Sequence, residues 1–475
     1  MAGGRVEFFA MRGRINVNKT LHTWGCSVDF AKIISVDFSE KEGKIKALTG
    51  LNFGSVFSAS GASIDFAKEF AETSLPVVRV SDTESPYGKN QYVDVHCLFP
   101  DFSADEQLPE SYNFTETDKY LFKIKETGAD IIFRLGESLD PYTCKLFVKS
   151  PSDVSKWARI CEHIILHYNE GFADGYKWKI KHWEIWNLPE ISDGWQGDEE
   201  NFFSLYTEVS SYLKERFPKI KIGGYGSLGF SGLNRLNSGE IYKEAPVYAE
   251  RFLACVKEKR APLDFFSWYC CADTPEEIAL HAQYARNALD AAGFKRTASY
   301  IVGFNLTKAE GGAYRGYSSD LLSSFITAQR SGIDMMIYDG SVPSGEKAWL
   351  CSALNGGAVL ASANPAFSAF GRLWRLGTAV ESLGDARREI YSLAARNASA
   401  GAVIVASQEY SGKLELRLKN ADFSHFSVSR YYEDGDGTPK LRIKQGISLS
   451  GNKIAVTLEA GDVYLFEFHG SPFVE

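Results

Sequence analysis

Side chains able to do chemistry gather where eight apolar, strand-like runs of this chain end. Reading those ends in order gives Asn52, then Arg79, Ser81 and Asp82, then Arg134 and Glu137, then Trp186, Asn187 and Leu188. Tyr225 follows, then Trp268, Tyr269 and Asp273, then Gly303, Phe304 and Asn305, and last Tyr338 and Asp339. Amides and carboxylates hold hydroxyl groups, and flat aromatic faces stack on rings, so this set suits a saccharide. A phosphate site would call for glycine-rich turns and basic residues instead. The expected ligand set is Asn52, Asp82, Glu137, Trp186, Asn187, Tyr225, Trp268, Tyr269, Asn305 and Tyr338.

The carboxylates have unequal prospects. Glu137 closes the third run and is the best placed for ligand contact or proton transfer, while Asp82 is placed to hold a sugar hydroxyl. Period-two alternation puts Glu184, Trp186 and Leu188 on one strand face, which makes Glu184 an inward, hydrogen-bonded structural residue. Glu190, after Pro189, is expected on a solvated loop, and Asp339 is expected to pair with Arg79 or Arg134. Tyr269 becomes a nucleophile or base only if its pKa, ordinarily ~10, is strongly lowered. The Cys270-Cys271 pair is expected to be buried.

The elements that must position these groups alternate regularly. Strand-like runs lie at 48–54, 76–82, 129–137, 179–188, 219–226, 262–269, 299–305 and 333–339. Helix-like segments fall between and after them at about 63–74, 114–127, 201–216, 248–259, 275–292, 318–331 and 364–375. A further helix opens at Asp153, with Trp157, Ile160, Cys161, Ile164, Ile165 and Tyr168 on one face. Eight such units in a row predict an α/β fold, a (β/α)8 TIM barrel over 48–377. An open doubly wound sheet is disfavoured because no Gly-x-Gly-x-x-Gly turn follows the first strand. Beyond 377 the runs turn short and alternating: 386–394, 401–407, 412–418, 425–431, 440–444 and 453–468. They predict an accessory antiparallel β-sandwich built from 1–47 plus 378–475.

Bulk properties exclude several partner classes. A net charge of −8 with no Lys/Arg cluster argues against nucleic acid. No run approaches the ~18 apolar residues needed to span a membrane. The N-terminal residues carry no basic-then-apolar signal, so a cytoplasmic protein is expected. The eight cysteines lack metal-type spacing and fit reduced, buried thiols, and neither metal nor cofactor is expected.

Several segments resemble one enzyme family. Ile34–Ser55, Pro86–Phe102 (PYGKNQYVDVHCLFPDF), Phe133–Ser138 (FRLGES), Trp157–Asn169, Lys181–Pro189, Leu263–Trp268 and Arg372–Gly377 are similar to glycoside hydrolase family 39, the β-xylosidase and α-iduronidase group, especially its bacterial branch. The resemblance implies a (β/α)8 barrel, a sandwich that takes strands from both termini, and retaining hydrolysis by two glutamates ~5–5.5 Å apart. The acid/base position of the family, in Trp-Glu-x-Trp-Asn-Glu-Pro, falls on Leu188, and the nucleophile position falls on Gly303. Family histidines fall on Thr49, Ser81 and Tyr269, whereas Trp183, Glu184, Trp186, Asn187, Pro189 and Asn305 are kept. Asn187 retains a family role in bonding the sugar. These substitutions imply a pseudoenzyme that binds a saccharide or glycoside, or serves as a partner subunit of an active relative, in a homo- or hetero-oligomer. The alternative is an active glycosidase or lyase with relocated groups drawn from Glu137, Asp82, Glu84, Glu190 and Tyr269.

Overall fold

The computed structural model describes residues 31–52, 56–59, 62–65, 70–71, 73–81, 93–139, 148–235, 239–306, 317–339, 351–354, 357–360, 364–384, 389–421, 423–433, 439–448 and 451–470. Eight strands close into a parallel barrel: Ala47–Leu51, Val77–Val80, Asp130–Leu135, His182–Ile185, Lys221–Ser227, Phe265–Ala272, Ala298–Leu306 and Met335–Tyr338. Each corresponds to one of the eight expected runs. The barrel interior is filled by inward residues such as Val77, Ile132, Phe265, Tyr300, Val302 and Ile337. Their alternates face the helix layer and merge with it into one large core.

The helix Val154–Asn169 shows how the sequence fixes a layer element. Asp153 sits in extended backbone and its carboxylate accepts from the Lys156 amide, a cap worth about 1 kcal/mol. Trp157, Ile160, Cys161, Ile164, Ile165 and Tyr168 are all buried, as their three-four spacing requires. One expected helix is corrected. In place of a helix starting at 63, Ala62–Asp65 forms a strand paired antiparallel with Val56–Ala59. The alternating Val-Phe-Ser-Ala and Ala-Ser-Ile-Asp runs flank Ser60-Gly61, a hairpin pattern that outweighs the weak helical period there.

The accessory sheet has nine strands, one (Lys32–Lys44) preceding the barrel and eight following it between Thr378 and Gly470. Its pairs are antiparallel except that Lys32–Lys44 runs parallel to Gly412–Lys419. Ile34, Val36 and Phe38 alternate inward against Leu414, Leu416, Phe466 and Phe468. The run at 453–468 is two strands, Lys453–Leu458 and Val463–Gly470, because Gly461-Asp462 turns the chain between them. Among the described residues no helix is long and apolar enough to cross a membrane.

Candidate active site

Arg79, on the second barrel strand, is fully buried and organises the carboxyl end of the barrel. Its Nε donates to Glu184 Oε2 at 2.7 Å. Its Nη1 donates to Ser81 Oγ at 3.0 Å, to the Tyr269 hydroxyl at 3.1 Å and to Asn52 Oδ1 at 3.4 Å. Its Nη2 donates to Asn187 Oδ1 at 2.8 Å, and the Tyr269 hydroxyl donates to the same oxygen at 3.2 Å. Burial opposes the Arg79 charge, but Glu184 and Tyr269 outweigh it and raise its pKa. Asn52 in turn donates to Asp339 Oδ1 and to the Val302 carbonyl, both at 2.8 Å. Burial holds the Asp339 carboxyl above its ordinary value. Asp339 thus bonds to Asn52, which Arg79 also contacts, and Arg134 pairs with Asp94.

Of the five positions that the family resemblance singles out, Ser81 and Tyr269 join the Arg79 network and Gly303 lies against the Tyr269 ring. Gly303 pairs in register with Tyr269 on the neighbouring strand. A Cβ placed on Gly303 would lie 2.2 Å from both Cδ1 and Cε1 of Tyr269. The phenol ring therefore occupies the space into which any side chain at 303 would project. Burial pushes the Tyr269 hydroxyl upward, with Arg79 only partly offsetting it, so the lowered pKa that nucleophilic use requires is not met. Leu188 is buried, with φ +50°, and Trp186 two residues earlier has φ +72°. This left-handed backbone is sparsely populated by side chains other than glycine and asparagine, and such conformations concentrate at functional sites. The Ser81 hydroxyl joins the Arg79 network, whereas the Thr49 hydroxyl is buried with no hydrogen-bond partner among the described residues. Gly303→Ala should destabilise the fold by roughly 1–3 kcal/mol through overpacking. Adding Tyr269→Ala should recover most of that loss in a chemical-denaturation double-mutant cycle. Additive losses would contradict the contact.

The other expected ligand residues separate by strand face. Tyr225, Trp268 and Tyr338 are corrected: their side chains turn outward into the helix layer. Tyr225 packs on Phe202, Tyr248, Phe252 and Phe266. Trp268 packs on Phe230 and donates from Nε1 to Ser299 Oγ at 3.0 Å. Tyr338 packs between Phe304 and Phe367. Asn305 lies half-buried near the end of the seventh strand. Asp82 and Glu84 lie outside the described residues.

Glu190 is corrected too. Its Oε1 accepts from Ser227 Oγ at 2.8 Å and from the Leu228 amide at 3.0 Å, while Oε2 is buried without a partner among the described residues. Pro189 turns the chain inward, and burial raises the Glu190 carboxyl from 4.5 to about 7. A folded-state value above the unfolded one means the folded protein binds the proton more tightly. This contribution is therefore complete below about pH 4.5 and is lost as pH rises through about 7. Glu190→Gln should flatten the fall in melting temperature over that window, and an unchanged slope would count against the assignment. Cys271 is exposed, unlike its buried neighbour Cys270, because period-two alternation sends the two side chains to opposite faces.

Beside the mouth, Glu137 lines a cavity of about 260 Å³ with His96, Phe99, Phe102, Trp157 and Trp186. Trp186 is anchored there by Nε1 donating to the Gly194 carbonyl at 2.8 Å. Glu137 accepts from His96 Nδ1 in a close ion pair. Burial pushes the Glu137 carboxyl up to about 7, and the partners of His96 outweigh its burial to raise it to about 10, so the pair retains a proton through neutral pH. Asp94, His96 and Glu137 each present an atom within 4.8 Å of the others, the spacing of a metal cage. Asp94, however, is engaged by Arg134 and by the Ser138 amide and hydroxyl. A guanidinium at that position opposes a cation, so the donor set fits an ion-pair network better than a metal. His96 escaped the sequence reading because its helix, Val95–Leu98, is a single turn with no periodicity to place it.

Residues 59–290 match the family model described as Glycosyl hydrolases family 39. Among solved structures, a glucosidase from Croceicoccus marinus superposes with a TM-score of 0.72 at 21% identity, covering 93% of this chain and 99% of that one. The GH39 enzyme from Xanthomonas axonopodis pv. citri gives 0.64 at 15% identity, covering 94% and 99%. A monomeric β-xylosidase from Caulobacter crescentus gives 0.63 at 14% identity, covering 93% and 100%. No curated protein matches the chain in sequence. The structural likenesses carry the fold, and the similarity to glycosyl hydrolases family 39 rests on the matched segment 59–290.

Proposed function

We propose that this chain is a pseudo-glycosidase, which keeps the family 39 barrel mouth as a saccharide-binding surface without retaining hydrolysis. The observation that carries this reading is the Tyr269 ring lying over Gly303, where a nucleophilic side chain would have to stand. Leu188 at the acid/base position supports it, since a hydrocarbon side chain transfers no proton. The amides of Asn52 and Asn187 and the carboxylate of Asp339 remain assembled, and their arrangement suits hydroxyl groups. The names of the structural neighbours, a glucosidase and a β-xylosidase, direct the ligand search to gluco- and xylo-configured saccharides.

Titration calorimetry with xylo-, gluco-, galacto- and arabino-configured oligosaccharides tests the reading. Saturable binding of at least one class, with the ligand recovered intact, is expected. Absence of saturable heat across the panel would contradict it. Association with a catalytically complete relative and a cytoplasmic location belong to the same proposal, and are checked by co-purification and cell fractionation.

One observation favours a second reading, an active glycosidase or lyase with relocated groups. Glu137 has a carboxyl raised to about 7 in an aromatic-lined cavity, a value suited to proton transfer near neutral pH. Its signature would be glycoside cleavage lost in Glu137→Gln.

A further inference from the structure

The His96 imidazole has a second partner that the saccharide reading does not use. Cys97 Sγ lies 3.3 Å from His96 Nε2, while His96 Nδ1 faces the Glu137 carboxylate. The two ring nitrogens thus point to a thiol on one side and a buried carboxylate on the other. This is the arrangement in which an imidazolium steadies a neighbouring thiolate and a buried carboxylate holds the imidazolium in place. Three further features make the relay a built one. Glu137 is almost fully buried, with its own cavity alongside. Asp94, which neighbours Glu137, is locked by Arg134 and Ser138, leaving Glu137 to His96. Cys97 itself is partly exposed, so a reagent can reach it. Among the described residues, the charged and titratable groups around the relay are Asp94 before the turn Val95–Leu98, Arg134 and Glu137 from the barrel side, Cys161 from the helix Val154–Asn169, and Lys149 at the cavity rim.

We propose that Cys97 is an activated thiol, set by His96 and Glu137, whose substrate class is a small disulfide. In the exchange the Cys97 thiol gives its proton to water, and the His96 imidazolium, held by Glu137 at Nδ1, donates from Nε2 to the thiolate. The thiolate attacks one sulfur of the disulfide, the S–S bond breaks, and a new S–S bond joins Cys97 to that half. The other half leaves as a thiolate and takes a proton from water, which balances the one that Cys97 gave up. Cys97 is oxidised, the small disulfide is reduced, and no further oxidant is required. The inference is independent of whether the barrel mouth hydrolyses or only binds a saccharide.

The test uses the full chain with 2-hydroxyethyl disulfide at pH 7, following each cysteine by peptide mass spectrometry. Cys271 serves as an internal reference, since it is exposed to solvent and to reagent. Cys97 is expected to form the mixed disulfide at least tenfold faster than Cys271. His96→Gln should slow Cys97 at least tenfold, and Glu137→Gln should slow it by a smaller factor, with Cys271 unchanged in both. Cys97 reacting no faster than Cys271 in the native protein would overturn the proposal, as would full reactivity in folded His96→Gln. If either variant melts below the assay temperature, the comparison of Cys97 with Cys271 in the unaltered chain decides alone.

Discussion

A chain carrying Leu188→Glu, Gly303→Glu and Tyr269→His together should gain hydrolysis of aryl β-glycosides, rising above the unaltered protein by roughly 10²–10⁴ or more, the contribution ordinarily made by positioned acid/base groups. The three changes are needed together. Gly303→Glu alone drives a side chain into the Tyr269 ring, where even a Cβ would sit 2.2 Å from two ring carbons. That variant should be destabilised and inactive. Tyr269→His vacates the space and restores the residue type that the family resemblance places there. Arg79, already donating to the Tyr269 hydroxyl, is positioned to donate to a carboxylate at 303 instead. Leu188→Glu supplies a proton donor on backbone whose φ of +50° the leucine already tolerates, so the exchange adds little backbone strain. Release of nitrophenol from aryl xylosides and glucosides measures the gain. A folded triple variant that binds sugar but shows no turnover would mean that scaffold as well as reactive groups has diverged.

Arg79→Met should be among the most destabilising single changes in the barrel, costing about 3–5 kcal/mol. The Arg79–Glu184 pair is fully buried on both sides, and removing one partner leaves an uncompensated charge in the interior. Glu184 already has one carboxylate oxygen, Oε1, without a hydrogen-bond partner among the described residues, so no other donor stands ready. Asn187, Ser81, Asn52 and Tyr269 would lose their common donor at the same time. Adding Glu184→Gln should recover part of the loss, because the stranded group becomes neutral. Denaturant melts of both single variants and the double variant measure the coupling. Strictly additive effects would show that the pair is not the source of the cost.

The barrel was legible because eight apolar runs alternate with helical periods, and each run ends within three residues of its strand's end. The inward Glu184 was legible for a similar reason: strand alternation is a local rule. The same rule separates Trp268 from Tyr269 and Tyr338 from Asp339, because adjacent residues cannot share a face. Grouping both members of each pair in one mouth ignored it. Beyond regular ladder pairing the rule weakens. Register shifts lie between Gly224 and Ser227 and between Ile301 and Gly303, right where the mouth begins. Glu190 misled because a residue after proline near a strand end reads as loop, whereas its carboxylate folds back on Ser227. His96 and Cys97 sit on one short helical turn, and only the three-dimensional approach of Glu137 gives them meaning. The pairing of Tyr269 with Gly303 likewise needed the strand register. The sequence alone does not reveal that the Tyr269 ring fills the space beside Gly303.

Turnover of aryl β-xylosides, glucosides, galactosides and arabinosides by the unaltered protein tests the central claim most directly. The account predicts no release above the uncatalysed rate for any of them, including with Glu137→Gln as the control. Robust turnover that disappears in Glu137→Gln would contradict it, and would make Glu137 the relocated acid of a working glycosidase.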